Sequence, residues 1–292
     1  MAGYLAGNVD KWIYIDIADQ HPDSIRFIKD CEKAVGKEIE ILRSKEYSSV
    51  EECVRVFGGF RNPGNGFAPC TNWLKKRVRK EWEEQHKDYE LTYVWGFDLK
   101  EKNRAERTVE ANPQANHAFP LLDRQLSKEE VHGLFERTFD FARPRMYEMG
   151  YPNNNCIGCV KGGMGYWNHI RKDFPEVFES RAKLERDVGY SILKDSKGKP
   201  VFLDELDPNR GNMNTEIFPD CGIMCYLNLE PDENIRSTYL DILHLFVHTI
   251  NYLSKLHSLH QQRNLSRYVQ TNAKCQILTV SEFDTERRQN DT

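Results

Sequence analysis

The chain has 292 residues, a net charge of −4, 39% hydrophobic residues and 29% charged residues. This length suits one large domain or two modest ones, either of which buries enough apolar surface to fold without cross-links. The 15 Phe, 13 Tyr and 5 Trp argue against a disordered chain, and the negative charge argues against a surface wholly devoted to nucleic acid.

Membrane and secretion signals are not apparent in the sequence. No apolar run approaches the roughly 18 residues that a membrane helix needs, and residues 1–7 carry no basic segment of a signal peptide. We therefore expect a cytoplasmic protein with no membrane partner. Thiols stay reduced in that compartment, so the 8 Cys are expected to be metal ligands, catalytic thiols or core residues rather than disulfides.

Strand and helix patterns alternate through the first hundred residues, which predicts an α/β fold: a parallel sheet with helices on both faces. The predicted elements are a strand at Lys11–Ile17, a helix ending at Gly36, a strand at Glu38–Leu42, a helix at Ser49–Phe57, a helix at Thr71–His86 and a strand at Leu91–Trp95.

The second half of the chain has fewer strands and one Cys-rich loop. We expect residues 1–234 to form the main domain, with its Cys-rich region at about 150–230, and residues 235–292 to form a terminal helix and a polar tail. The predicted elements are a strand at Ala118–Leu122, a helix at Ser127–Phe139 with a capping box, a loop at Asn153–Gly165, one or two helices over Tyr166–Val188, a hairpin at Ser191–Leu203 and a helix at Ile235–His260.

Cysteines in loops give the sharpest chemical signal. Cys156 and Cys159 form a C-x-x-C motif, whose spacing lets two thiolates converge on one metal or cluster. The motif alone fits zinc, an iron–sulfur cluster or a redox dithiol. Cys70, Cys221 and Cys225 also lie outside helical patterns and could complete a four-thiolate set, although all of these could be unrelated loop thiols. Cys31 and Cys53, by contrast, fall within helical patterns, where packing is the simpler explanation.

Polar residues follow two of the predicted strands. Asp16, Asp19 and His21 come at the carboxyl end of the first strand, where ligands bind in open α/β sheets. His21 could instead cap the next helix. Arg104 and Arg107 follow the strand that ends at Trp95, and their guanidinium groups suit a sulfate or phosphate. A solvated charged helix face is the alternative for this pair.

A basic segment with two tryptophans lies between these regions. Lys75–Lys80 is flanked by Trp73 and Trp82, a combination that can contact nucleic acid or an anionic nucleotide. The acidic residues at 81, 83 and 84 favour the alternative of a solvated amphipathic helix.

Taken in order, the motifs resemble those of the phosphoadenylyl-sulfate (PAPS) reductase family, within the adenine nucleotide alpha-hydrolase (PP-loop) superfamily. The resemblance covers about residues 11–225, and the stretch that leads into the C-x-x-C motif is its most specific part. The segments that carry it are Ile15-Asp16 with Gln20-His21-Pro22, Gly96–Arg107, Phe119–Asp123, Met146–Tyr151 with Cys156–Cys159, and Asp220-Cys221-Gly222-Ile223.

The resemblance implies an enzyme that reduces or transfers sulfur on a nucleotide-linked small-molecule substrate, with a thiol reductant or a sulfur donor as partner. It implies that Cys221 is the nucleophile and that the substrate anion is bound by Asp16, His21, Arg104 and Arg107. It further implies a [4Fe-4S] cluster, with zinc as the runner-up. The implied metal ligands are Cys70, Cys156, Cys159 and Cys225, with Cys221 and Cys225 exchangeable between nucleophile and ligand.

One motif of the family is not found in this sequence. The Ser-Gly-Gly-x-Asp-Ser loop that cradles nucleotide phosphates is missing, and residues 1–7 look like the end of the helix that follows it. We therefore expect weak binding of adenine nucleotides. Two alternatives stay open: a sulfur-inserting enzyme that modifies nucleic acid, and a non-catalytic, metal-binding relative that acts through partner contacts.

Overall fold

The computed structural model describes residues 1–61 and 68–216, and its elements follow the predicted alternation of strands and helices. The helices are α1 (Ala2–Ala6), α2 (Asp23–Val35), α3 (Val50–Phe57), α4 (Pro69–Thr71), a π-helical segment (Asn72–Lys76), α5 (Arg77–Gln85), α6 (Lys102–Ala111), α7 (Pro120–Asp123), α8 (Lys128–Thr138), α9 (Arg145–Glu148), α10 (Met164–Asp173) and α11 (Pro175–Val188), with 3-10 turns at Leu99–Glu101 and Leu203–Glu205. The strands are β1 (Trp12–Ile15), β2 (Ile39–Leu42), β3 (Thr92–Val94), β4 (Asn116–Ala118), β5 (Leu193–Lys194) and β6 (Pro200–Val201).

The first strand pair is parallel, with Trp12 opposite Ile39 and Ile15 opposite Leu42. Parallel neighbours need a crossover connection, and α2 provides it. This helix ends where Gly36 adopts the left-handed conformation with φ of 66°, and the Gly36 amide donates to the Glu32 carbonyl. The carboxyl end of β1 therefore leads directly into the loop that precedes α2.

The second strand pair is also parallel, with Thr92 opposite Asn116 and Val94 opposite Ala118. Helix α6 lies between its two strands in the chain. Stacked aromatic rings continue past the end of this pair, because Trp95 stacks on Phe97 with ring centroids 5.6 Å apart. This second α/β unit repeats the plan of the first one.

The sequence pattern predicts one parallel sheet, whereas the described residues form two separate parallel pairs and the antiparallel pair β5–β6. In each parallel pair, the hydrogen bonding continues just past the first strand: the Asp16 amide donates to the Leu42 carbonyl, and the Trp95 amide donates to the Ala118 carbonyl. Within residues 1–61 and 68–216, no strand pairs with the outer edge of β1 or β3. The α/β class is therefore confirmed, with small parallel sheets in place of one larger sheet.

Most local predictions are confirmed. Ser127 and Glu130 form the predicted capping box at the start of α8, and the β5–β6 hairpin turns at Gly198, whose φ is 79°. The predicted strand at Ala118–Leu122 is wrong, because the strand ends at Ala118 and α7 begins at Pro120. Proline favours the first position of a helix and cannot donate to a strand ladder.

The basic segment at Lys75–Lys80 lies on an amphipathic helix, which is the alternative that its neighbouring acidic residues favour. Trp73 and Trp82 are buried at 8% and 6% exposure. Arg77 pairs with Glu46 at 2.8 Å and lies 3.9 Å from the Trp73 ring centroid. The two tryptophans therefore pack in the interior and do not form an exposed stacking surface for bases.

The main core packs α3, α4, α10 and α11 around the Cys-rich loop. Its largest fully buried side chains include Trp167, Tyr166, Phe60 and Leu74. In the described part of the chain, no helix has both the length and the apolar character needed to cross a bilayer. The predicted domain boundary near residue 234, the helix at Ile235–His260 and both Cys221 and Cys225 lie outside the described residues.

Candidate thiol site at the carboxyl end of the first strand

Three of the predicted thiols are buried in the main core. Cys156 and Cys159 belong to the loop that connects α9 to α10, and Cys70 belongs to α4. Their exposed fractions are 8%, 7% and 9%, and all three belong to the main core. Cys70 therefore belongs to the same core as Cys156 and Cys159, which follow it by more than 80 positions in the sequence.

The C-x-x-C loop is shaped by one tyrosine. The Tyr166 hydroxyl accepts a hydrogen bond from the Cys159 amide at 2.9 Å and donates one to the Cys156 carbonyl at 3.1 Å. Tyr166 is 2% exposed, so these bonds are shielded from water. Gly158 adopts a φ of 69°, and a Cβ there would lie 2.8 Å from Val177. The loop conformation therefore depends on both the tyrosine and the glycine.

Asp19 fastens this loop to the end of β1. The Ile157 amide, inside the C-x-x-C motif, donates to the Asp19 carbonyl at 2.8 Å. The Asp19 carboxylate accepts from the Val50 amide at 2.7 Å, at the start of α3, and pairs with Arg181 of α11. The Arg181 and Asp19 side chains are only 5% and 10% exposed. One residue thus holds the Cys loop and two helices together.

A tyrosine hydroxyl lies close to the same end of the strand. Tyr14 of β1 donates to the Gln20 side-chain oxygen at 2.6 Å. Burial is the main cause that raises the pKa of Tyr14 above its ordinary value, a hydrogen bond from Ser24 lowers it, and the nearby Asp16 and Cys156 raise it further. The hydroxyl therefore stays protonated at neutral pH and is a donor beside the Cys loop.

Asp16 and His21 already have structural partners. The Asp16 carboxylate accepts from Arg43, with Nη2 at 2.7 Å from Oδ2. His21 Nδ1 accepts from the Asp23 amide at 3.1 Å, at the start of α2. His21 therefore caps the start of α2, as the alternative interpretation of this residue predicts. Neither residue contacts Arg104 or Arg107 through these bonds.

The two arginines belong to the second strand pair. Arg104 Nη1 lies 2.6 Å from Glu101 Oε1, and its guanidinium lies 4.4 Å from the Phe97 ring centroid. Arg107 is exposed, and its Nε donates to the Asn103 carbonyl at 3.2 Å. These contacts are local to α6 and the segment that precedes it. An anion site that joins them to Asp16 and His21 stays a prediction.

The donor types suit a thiolate-bound metal, but the described residues do not complete a ligand set. Buried thiols in apolar surroundings match the ligands of iron–sulfur clusters and structural zinc. Over residues 1–61 and 68–216, however, no three His, Cys, Asp or Glu side chains converge closely enough to hold a metal. Cys221 and Cys225 lie outside these ranges. The [4Fe-4S] site therefore stays a prediction.

Two buried charged residues on α11 were missed by the sequence patterns. Arg181 and Glu185 are 4% and 0% exposed, on the same helix face as Phe178 and Leu184. Glu185 accepts from the Ile192 amide at 2.5 Å and from the Leu203 amide at 2.6 Å. Charged residues on an apolar helical stripe were the available signal, because a buried charge requires a specific partner.

Comparisons with known proteins give little further guidance. No family model and no solved structure matches this chain. An uncharacterised protein of Methanocaldococcus jannaschii is 24% identical over 181 residues, which cover 60% of this chain and 36% of that protein. The matched region therefore spans little more than a third of the archaeal relative.

Proposed function

We propose that the chain is a PAPS reductase-like thiol enzyme, which reduces or transfers sulfur on a nucleotide-linked substrate. One observation carries the proposal: the Ile157 amide, between Cys156 and Cys159, is bonded to the Asp19 carbonyl just beyond β1. In open α/β sheets, ligands bind outside the carboxyl ends of the strands. This bond supports the proposal, because it ties the Cys loop to the kind of position at which such folds receive a substrate.

The described residues would prepare this site rather than carry out the bond changes. The Asp19–Arg181 pair fixes the loop relative to α11, and Tyr166 satisfies its backbone groups. The Tyr14 hydroxyl supplies a hydrogen-bond donor at the strand end. Cys70, Cys156 and Cys159, with Cys225, would hold the [4Fe-4S] cluster, which would lie beside the substrate and tune it electrostatically.

The resemblance assigns the chemical step to Cys221. Its thiolate forms a bond to the sulfate sulfur, the bond between that sulfur and the bridging phosphate oxygen breaks, and the nucleotide leaves with the oxygen. A dithiol reductant then attacks the Cys221 sulfur, and sulfite leaves with the bonding electron pair. The second thiol of the reductant displaces Cys221 as a thiolate, and the reductant ends as a disulfide.

Sulfite release tests the proposal. The full chain, purified without oxygen, is incubated with dithiothreitol and millimolar adenylyl sulfate or PAPS, since weak nucleotide binding is expected. We expect sulfite from one of the two substrates and none from the Cys221→Ser variant. Cys31→Ser is the matched control, because burial raises the pKa of that thiol to about 11 and it lies on α2 outside the Cys loop. Absence of sulfite from both substrates, or full activity of Cys221→Ser, would overturn the proposal.

A further inference from the structure

A cavity lies directly beyond the C-x-x-C loop. Its volume is about 320 Å³, and it is lined by Lys161, Gly162 and Gly163, by the first residues of the β5–β6 hairpin, and by Arg61 and Glu216. Small-molecule sites have volumes of about 300–1,000 Å³. The cavity is therefore at the small end of this range, which suits one compact ligand rather than a polymer.

The charges around the cavity favour an anion. Among the described residues, Arg61, Lys161 and Lys194 line it, and Glu216 is the acidic residue of the lining. The Glu216 carboxylate accepts from the Gly165 amide at 2.6 Å and from the Tyr166 amide at 3.0 Å, at the start of α10. Because helix N-termini stabilise negative charge, the Glu216 charge is offset by the helix, and the formal charge of the described lining is positive.

The hairpin side of the cavity adds an aromatic and apolar wall. Tyr190 and Ile192 line it, and Gly59 lies against the Tyr190 ring, where an added Cβ would be 3.6 Å from the ring carbon Cγ. Aromatic side chains stack on nucleobases, whereas Lys and Arg bind phosphate. The cavity thus combines the two kinds of group that recognise a nucleotide.

We propose that this cavity binds a mononucleotide, with its phosphate groups at Arg61, Lys161 and Lys194 and its base against Tyr190. The choice of a nucleotide over other aromatic phosphates rests on the proposed function. The basic cavity would hold the nucleotide half of the substrate while the neighbouring Cys loop receives the sulfur half. Side-chain cations would then bind the nucleotide phosphates.

Calorimetry on the full chain tests the site with ADP, adenosine and inorganic phosphate as probes. We expect ADP to bind at least tenfold more tightly than adenosine. Arg61→Gln and Lys194→Gln should each weaken ADP binding about tenfold, since each removes a charge-assisted contact. Lys197→Gln is the matched control: it removes an equal charge from the turn of the same hairpin, outside the cavity, and should leave the dissociation constant unchanged.

The aromatic wall is tested separately. Tyr190→Ala should weaken ADP binding but not phosphate binding, whereas Tyr190→Phe should retain both; thermal melts of each variant establish that it is folded. Equal binding of ADP and adenosine, or equal effects of Lys194→Gln and Lys197→Gln, would overturn the site even if sulfite is released. ADP binding as expected without any sulfite release would instead retain the site and overturn the proposed reaction.

Discussion

The two parallel strand pairs carry similar polar residues after their first strands, but use them differently. After β1, Asp19 reaches α3 and α11 and is nearly buried with Arg181. After β3, Asp98 caps the next turn, where its carboxylate accepts from the Lys100 amide at 2.8 Å, and its charge also attracts Lys128 of α8. The Asp19 carboxylate therefore connects segments that are distant in the sequence, whereas the hydrogen bond of Asp98 stabilises only the start of the next helical turn. This contrast favours the β1 end as the functional centre.

The largest expected effect comes from breaking the long-range contact. Asp19→Asn should lower the free energy of unfolding by about 3 kcal/mol, because the buried Arg181 charge loses its nearer partner and keeps only Glu51, at 3.9 Å. Asp98→Asn should cost less than about 1 kcal/mol, because Asn caps a helical turn about as well as Asp. Urea denaturation monitored by circular dichroism measures both. Equal effects of the two variants would remove the distinction between the strand ends.

The partner of Asp19 sharpens this test. In the double variant Asp19→Asn with Arg181→Met, no buried charge remains, so the stability should recover part of the loss seen with Asp19→Asn alone. Asp16→Asn should cost at most about 1 kcal/mol, since its partner Arg43 has a 67% exposed side chain. Additive losses in the double variant would show that Arg181 and Asp19 are not coupled.

The pH dependence of stability should come from α11. Burial raises the pKa of Glu185 from 4.5 to about 7, so the folded state holds the proton more tightly than the unfolded state. Stability should therefore fall as pH rises from about 4.5 to 7, by up to roughly 3 kcal/mol. Glu185→Gln should not show this fall, whereas Glu179→Gln, at an exposed position of the same helix, should retain it. Parallel stability curves for wild type and Glu185→Gln would contradict the assignment.

The hydroxyl that shapes the Cys loop gives a smaller effect. Tyr166→Phe leaves the Cys159 amide and the Cys156 carbonyl without this partner, which should cost about 1–3 kcal/mol. Tyr4→Phe, at a 47% exposed position, should change stability by less than about 0.5 kcal/mol. Thermal unfolding measures both variants, and similar melting temperatures would show that the loop does not depend on the hydroxyl.

The smallest effect concerns the second strand pair. Arg104→Gln removes the contacts with Glu101 and the Phe97 ring and should cost about 1 kcal/mol. Arg107→Gln should cost less than about 0.5 kcal/mol, because that side chain is exposed. Chemical denaturation of both variants checks this order. A larger loss of stability for Arg107→Gln than for Arg104→Gln would contradict the expected order.

Local features of the fold follow from local sequence patterns. The capping box at Ser127 and the hairpin turn at Gly198 each depend on residues within a few positions of one another. The same holds for His21, whose cap contact is with Asp23. Such features were predictable because the interactions that stabilise them are contained in the short segment.

Long-range features were not predictable in the same way. Asp19 and Arg181 are separated by 162 positions, and nothing in either segment specifies the other. The division into two parallel pairs likewise depends on which strand edges meet, whereas the alternating pattern defines only the strands and helices. The C-x-x-C spacing predicted a metal or redox site but not where the motif lies in the fold. The hydrogen bond between Ile157 and Asp19 shows that the motif lies next to the loop after β1.

We propose that Cys70, Cys156 and Cys159, with Cys225, form one metal centre beside β1, and metal analysis is the most direct test of this proposal. Iron, acid-labile sulfide and zinc are measured in anaerobically purified wild type, Cys70→Ser, Cys156→Ser and Cys31→Ser. We expect brown wild-type protein with equal amounts of iron and sulfide, loss of both in Cys70→Ser and Cys156→Ser, and full retention in Cys31→Ser. Zinc lost in the same pattern would keep the centre and replace the cluster. Wild-type protein without metal, or a Cys156→Ser variant that retains all of it, would contradict the claim.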